Sequence, residues 1–161
     1  IHDSVLSRVN VRQLTAVLRQ NMVLQSLILQ FNRLSKKEIV EIAPALYRNT
    51  SIRSLDLSSN SLHDIESANV LRELIRRNKT ITSLCAAYNT FGRNAAAARS
   101  IIEGVRSNTT IQQLDLSGCG LDDQCISLLA NALFTRNASI TKLVLKSNGI
   151  TSVGVRALVD N

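Results

Sequence analysis

The chain reads as a curved α/β solenoid, with a parallel sheet inside and helices outside. Three observations predict this. An eleven-residue phrase occurs five times: LQSLILQFNRL at 24–34, IRSLDLSSNSL at 52–62, ITSLCAAYNTF at 81–91, IQQLDLSGCGL at 111–121 and ITKLVLKSNGI at 140–150. The opening apolar residues, Leu24, Ile52, Ile81, Ile111 and Ile140, are spaced by 28, 29, 30 and 29 residues, the fixed period of stacked repeats. Within each phrase apolar residues alternate with period two, as in a strand, and between phrases they fall at helical spacing.

The elements follow in order. A first helix is expected near 4–20. The strand pairs are Leu27/Leu29, Leu55/Leu57, Leu84/Ala86, Leu114/Leu116 and Leu143/Leu145. Ala86 stands where a large residue is expected, which predicts a thinner core in the third repeat. Ser35 to Glu38 has the form of a capping box opening a second helix, with Ile39, Ile42, Ala43 and Leu46 facing inward. Pro44 lies inside that helix and should kink it or cost it one hydrogen bond. Further helices are expected near 65–77, 93–106, 122–136 and 152–160. Asp122 and Asp123 suit the positive end of the fifth.

Two columns recur. Asn32, Asn60, Asn89, Cys119 and Asn148 follow the strands, where a small buried polar side chain can bond the turning backbone. Asn21, Asn49, Asn78, Asn108 and Asn137 end the helices, where asparagine tolerates the left-handed conformation. An arginine column, Arg19, Arg48, Arg77, Arg106 and Arg136, precedes them, suited to the negative helix end. Helices are wider than strands, so the stack should curve, and no repeat can bury its apolar face alone. The expected organisation is one repeat domain over 1–161. The sixth helix has no following strand and the chain opens on Ile1, so the expectation is a fragment of a longer solenoid.

The phrase L-x-x-L-x-L-x-x-N/C-x-L, the helical return and the 28–30 spacing resemble the ribonuclease-inhibitor-like class of leucine-rich repeats. The resemblance covers about residues 20–161. It implies the solenoid fold and, broadly, protein recognition. That class also contains ligand-sensing regions of cytosolic innate immune receptors, tropomodulins, Ran GTPase-activating proteins and secreted bacterial effectors. Ribonuclease inhibitor itself is acidic and rich in cysteine, whereas this chain has three cysteines and a net charge of +7.

Several chemistries are argued against. The cysteines, Cys85, Cys119 and Cys125, are too few for a disulfide framework, and their sparseness fits a reducing, cytoplasmic setting. No CxxC pair exists and His2 and His63 lie far apart, so neither a metal site nor a cofactor is expected. No apolar run approaches membrane-spanning length, and residues 1–23 carry scattered arginines, unlike a secretory signal. Four Asn-x-Ser/Thr sequons, at Asn49, Asn78, Asn108 and Asn137, fall in one repeat column, so the repeat explains them without a sugar. Asp56 and Asp115 share a strand column two repeats apart, about 10 Å by strand spacing. With Cys85 between them and no sheltered cleft implied, they read as solvated recognition positions and not as a catalytic pair. The basic charge reads first as helix-end complementarity, and few aromatics are present for stacking nucleic acid.

Function is therefore sought on the inner face. Its central column is Ile28, Asp56, Cys85, Asp115 and Val144, flanked outward by Gln30, Ser58, Ala87, Ser117 and Lys146. Phe31 and Tyr88 lie one position further on, and Arg53 and Lys142 precede the strand centres. These residues are not dictated by stacking. Phe31, Arg53, Asp56, Tyr88, Asp115, Lys142 and Lys146 are the candidate partner-binding set, with the two aromatics as anchors. The expectation is a non-enzymatic module that binds a protein on its concave face. The alternatives are a regulatory segment of a larger receptor or GTPase regulator, and nucleic-acid or anionic-lipid binding along the arginine edge.

Overall fold

The computed structural model describes residues 8–160. His2 and the expected helical residues 4–7 lie outside them. Six helices alternate with five strands: α1 (Arg8–Gln20), β1 (Ser26–Ile28), α2 (Lys36–Arg48), β2 (Ser54–Asp56), α3 (Ile65–Arg77), β3 (Ser83–Cys85), α4 (Ala95–Ser107), β4 (Gln113–Asp115), α5 (Asp123–Thr135), β5 (Lys142–Val144) and α6 (Ser152–Val159). A short 3-10 turn, Phe91–Arg93, precedes α4. The strands form one parallel sheet in chain order. Equivalent repeat positions pair directly, as in Leu55 with Leu84 and Leu84 with Leu114.

The strands are three residues long because the chain turns as soon as the apolar pair has been placed. Leu27, Leu55, Leu84 and Leu114 are buried, as are Leu29, Leu57, Ala86 and Leu116. The sheet ladder continues past each strand through Leu29 N–H to Asp56 O (2.8 Å), Leu57 N–H to Cys85 O (2.8 Å) and Ala86 N–H to Asp115 O (2.9 Å). The repeat with the smallest residue in that apolar column, Ala86, carries the largest in another: Phe91, fully buried in the same core.

The starts of α2 to α6 each have a cap. Glu38 accepts the Ser35 N–H at 2.9 Å, completing the expected capping box. Asp64, Asn94, Asp122 and Thr151 cap the helices that follow them. Pro44 lies on the exposed side of α2, which continues as one helix to Arg48. The donor that proline lacks is thus missing at the surface, where the carbonyl that would have received it can bond water.

The helix ends differ from expectation. Asn49, Asn78 and Asn108 are extended, with φ of −68°, −69° and −85°, not left-handed. Their amides act instead. Asn49 Nδ2–H donates to Leu18 O and Asn21 O, both at 3.0 Å, in the preceding repeat. Its Oδ1 accepts the N–H groups of Ser51 (3.0 Å) and Ile52 (2.8 Å). Asn78 and Asn137 repeat both halves of this pattern. Asn108 does the same through Ile75 O, Thr110 N–H and Ile111 N–H. The column is a buried ladder that closes each helix onto the one before it. The sequon nitrogens are therefore buried donors to backbone, which leaves no room for a sugar.

Candidate functional site: the inner face and its rim

The post-strand column forms the second ladder. Asn89 Nδ2–H reaches Leu57 O (2.9 Å) and Ala86 O (3.0 Å), and Asn60 Oδ1 accepts Leu34 N–H (2.9 Å). At Cys119 the side chain is a weak donor only, to Ala86 O (3.4 Å) and Ser117 O (3.5 Å). The preceding loop adapts: Phe91–Arg93 tightens into the 3-10 turn and Gly92 N–H donates to Cys119 O (2.9 Å). A Cβ on Gly92 would stand 2.7 Å from Gly120 C, so only glycine fits there. Burial pushes the Cys119 thiol up to about 12, which makes it a packing residue.

The inner face departs from expectation in one column. Ser58, Ala87 and Ser117 are buried and do not face outward. The cause is a turn just after the strand. Asp56 Oδ1 accepts the Ser58 N–H (2.8 Å) and Oγ–H (2.6 Å), and Asp115 Oδ1 accepts the Ser117 N–H (2.9 Å). Asp56 and Asp115 thus hold the turn as well as facing the sheet surface, and are half-buried rather than simply solvated. Cys85 pairs in register between them. Its thiol is pushed up first by burial and then by the two carboxylates.

The next residue of every repeat is left-handed. Phe31, Ser59, Tyr88, Gly118 and Ser147 have φ of 57°, 54°, 57°, 61° and 57°. This geometry is common to the repeats, but the aromatic side chains at 31 and 88 are not required by it. Phe31 is 51% exposed and Tyr88 54% exposed. Tyr88 lies across Gly118 of the next repeat, where a Cβ would overlap its ring. Glycine at 118 thereby seats the tyrosine on the rim of the sheet.

The structure gathers part of the candidate set. Cys85, Asp115 and Lys142, with Ser83, Gln113 and Val144, line a shallow depression of about 160 Å³ over β3–β5. Lys142 and Lys146 are exposed. Arg53, just before β2, lies outside this depression, and its Nη1–H donates to Thr80 O at 3.3 Å. Among the described residues no cluster of three metal-ligating side chains occurs, and no helix is long and apolar enough to cross a membrane.

A family model described as Leucine Rich repeat matches residues 48–65, 107–130 and 136–159. The repeats are leucine-rich repeats. The chain is 34% identical over 100 residues to leucine-rich repeat-containing protein 45 of Gallus gallus, covering 62% of this chain and 15% of that protein. It is 31% identical over 129 residues to NACHT, LRR and PYD domains-containing protein 12 of Homo sapiens, covering 80% of this chain and 12% of that protein. It thus spans less than a sixth of either relative. Among solved structures, actin-binding site 2 of leiomodin-1 superposes with a TM-score of 0.70 at 19% identity, covering 96% of this chain and 87% of that one. The tropomodulin C-terminal domain of Caenorhabditis elegans superposes with a TM-score of 0.67 at 17% identity, covering 94% and 90%. These likenesses establish the leucine-rich-repeat solenoid fold.

Proposed function

We propose that this leucine-rich-repeat chain is a non-enzymatic protein-recognition module that binds its partner along the concave sheet and its Phe31–Tyr88 rim. One observation carries the reading: two large aromatics occupy left-handed positions and remain half-exposed. A bulky residue in that conformation costs about 1 kcal/mol or more. Glycine or serine fills the same column elsewhere, so stacking alone does not call for the rings. Exposed aromatics of this kind are typical anchors of protein interfaces. Asp56, Asp115 and Lys142 supply charge on the face, Lys146 on the rim, and Arg53 just before β2. Three free cysteines fit a cytoplasmic setting. The whole of 1–161 serves as one binding domain, within a larger receptor or regulator in the alternative reading.

The test is affinity capture with nuclease present, comparing the unaltered chain with Phe31→Ser/Tyr88→Ser and with Lys142→Glu. Asp56 and Asp115 are left intact, because altering them would also open the turns. A protein retained by the unaltered chain and lost with the double variant, at unchanged circular dichroism, supports the reading. Retention by the double variant overturns it.

A further inference from the structure

Besides the sheet face, the outer, helical side carries a groove of about 740 Å³ lined by Arg19, Pro44, Tyr47, Arg48 and Arg77. It runs between the C-terminal halves of α1, α2 and α3. We propose that this groove binds an acidic peptide segment, bearing carboxylate or phosphorylated side chains, independently of the concave face.

The expected task of the arginines was to serve the negative helix ends. Some of the carbonyls at those ends are bonded by the buried asparagines instead: Leu18 O and Asn21 O by Asn49, and Leu46 O by Asn78. Arg19 and Arg48 are exposed, and neither has a carboxylate partner among the described residues. Arg77 is different. Its Nε–H bonds Glu73 at 2.9 Å, and its guanidinium lies 5.5 Å from the centre of the Tyr47 ring. Glu73 is shared with Arg76 at 2.8 Å, so this carboxylate is saturated by its own helix. Glu41 lies in the adjoining recess beside Arg12 and Arg19. The groove is thus a three-arginine cradle with an apolar floor of Pro44 and Tyr47.

Its shape and chemistry select the occupant. Guanidinium forks match carboxylate and phosphate oxygens, and they hold them best where several converge. The one aromatic ring present is half-buried and already covered by Arg77, so it offers no free face for a nucleobase to stack on. A recess between helices admits a narrow chain more readily than a flat bilayer. The volume lies within the range of small-ligand pockets, enough for a few peptide residues.

The experiment is fluorescence anisotropy on the full chain with labelled hexaglutamate, a phosphoserine-containing peptide and neutral hexaglutamine. Oligothymidine and phosphatidylserine vesicles are competitors. Both acidic peptides should bind above the neutral one, more weakly at higher salt. Arg19→Glu/Arg48→Glu should weaken them about tenfold or more. Arg99→Glu, an exposed charge reversal on α4, and Tyr88→Ser on the rim should leave binding within about twofold. The relative affinity of the two acidic peptides distinguishes carboxylate from phosphate. The proposal is overturned if neither acidic peptide binds, if Arg99→Glu weakens binding as much as the double variant, or if oligothymidine or vesicles displace the peptides at lower concentration.

Discussion

Single asparagines tie each repeat of this fold to the one before it. Asn78 Nδ2–H reaches Leu46 O at 2.7 Å, and its Oδ1 accepts Thr80 and Ile81 N–H at 2.8 and 2.7 Å. Alanine there would strand two buried backbone groups, Leu46 O and Ile81 N–H, and the part-buried Thr80 N–H. The expected loss is about 2–4 kcal/mol, read from the urea midpoint at unchanged slope. The same substitution at Asn21, the partly buried member of the column, should cost less, because water can replace the amide. The thiols provide a second readout. Cys85 is half-buried on the sheet face, while Cys119 and Cys125 are buried. A disulfide reagent near pH 8 should modify Cys85 first, and all three only after denaturation. Rapid native modification of Cys119 would contradict its packed position and raised thiol.

At the scale of elements, helix starts and helix contacts set the tolerances. Asp122 Oδ1 accepts the Cys125 N–H at 2.8 Å, and this bond holds its carboxyl below the usual range. A depressed carboxylate stabilises the fold above its unfolded value, near about 4, and the contribution is lost as pH falls through the lower folded value. Asp122→Asn should therefore flatten the dependence of stability on pH over that acidic window and leave the slope near neutrality unchanged. Helices α3 and α4 meet closely because position 104 has no side chain. A Cβ on Gly104 would stand 3.1 Å from Arg72 Cα and 3.2 Å from Arg72 O. These are backbone atoms that cannot rotate away. Gly104→Val should cost about 1–3 kcal/mol by overpacking, seen as a lowered thermal midpoint. Gly154 is an end-repeat counterpart: its N–H and that of Thr151 both bond Asp123 Oδ1, at 3.0 and 2.8 Å. Asp122 caps its own helix while Asp123 caps the next.

For the whole molecule, stability is a sum over neighbouring repeats. Leu84 and Leu114 are buried between sheet neighbours, whereas Leu143 and Leu145 are only partly covered. Hydrogen exchange should therefore be slowest at the Leu57 and Ala86 amides and fastest through β5 and α6. Uniform protection across all five repeats would contradict the stacked-unit account. The two proposed surfaces lie on opposite sides of this stack, so loss of one by substitution should spare the other.

Much of this was legible along the chain, and it was everything that repeats. The 28–30 spacing located all five strands, and Ser35 and Asp122 located two helix starts, because periodicity and capping act within one repeat. The side of the sheet for each residue followed only as far as the strand lasted. Ser58 and Ser117 turn inward where Asp56 and Asp115 bond the backbone two residues on, and Ala87 follows the same turn without an aspartate. The helix-ending asparagines are visible by position but their role is not: a left-handed cap is a local property, whereas their bonds reach carbonyls about thirty residues away in the neighbouring repeat. The arginine column, too, could be seen as a column but not as a groove. Its meaning depends on which carbonyls the asparagines have already taken and on how Tyr47 and Pro44 floor the space between three helices, and those are facts of packing between repeats.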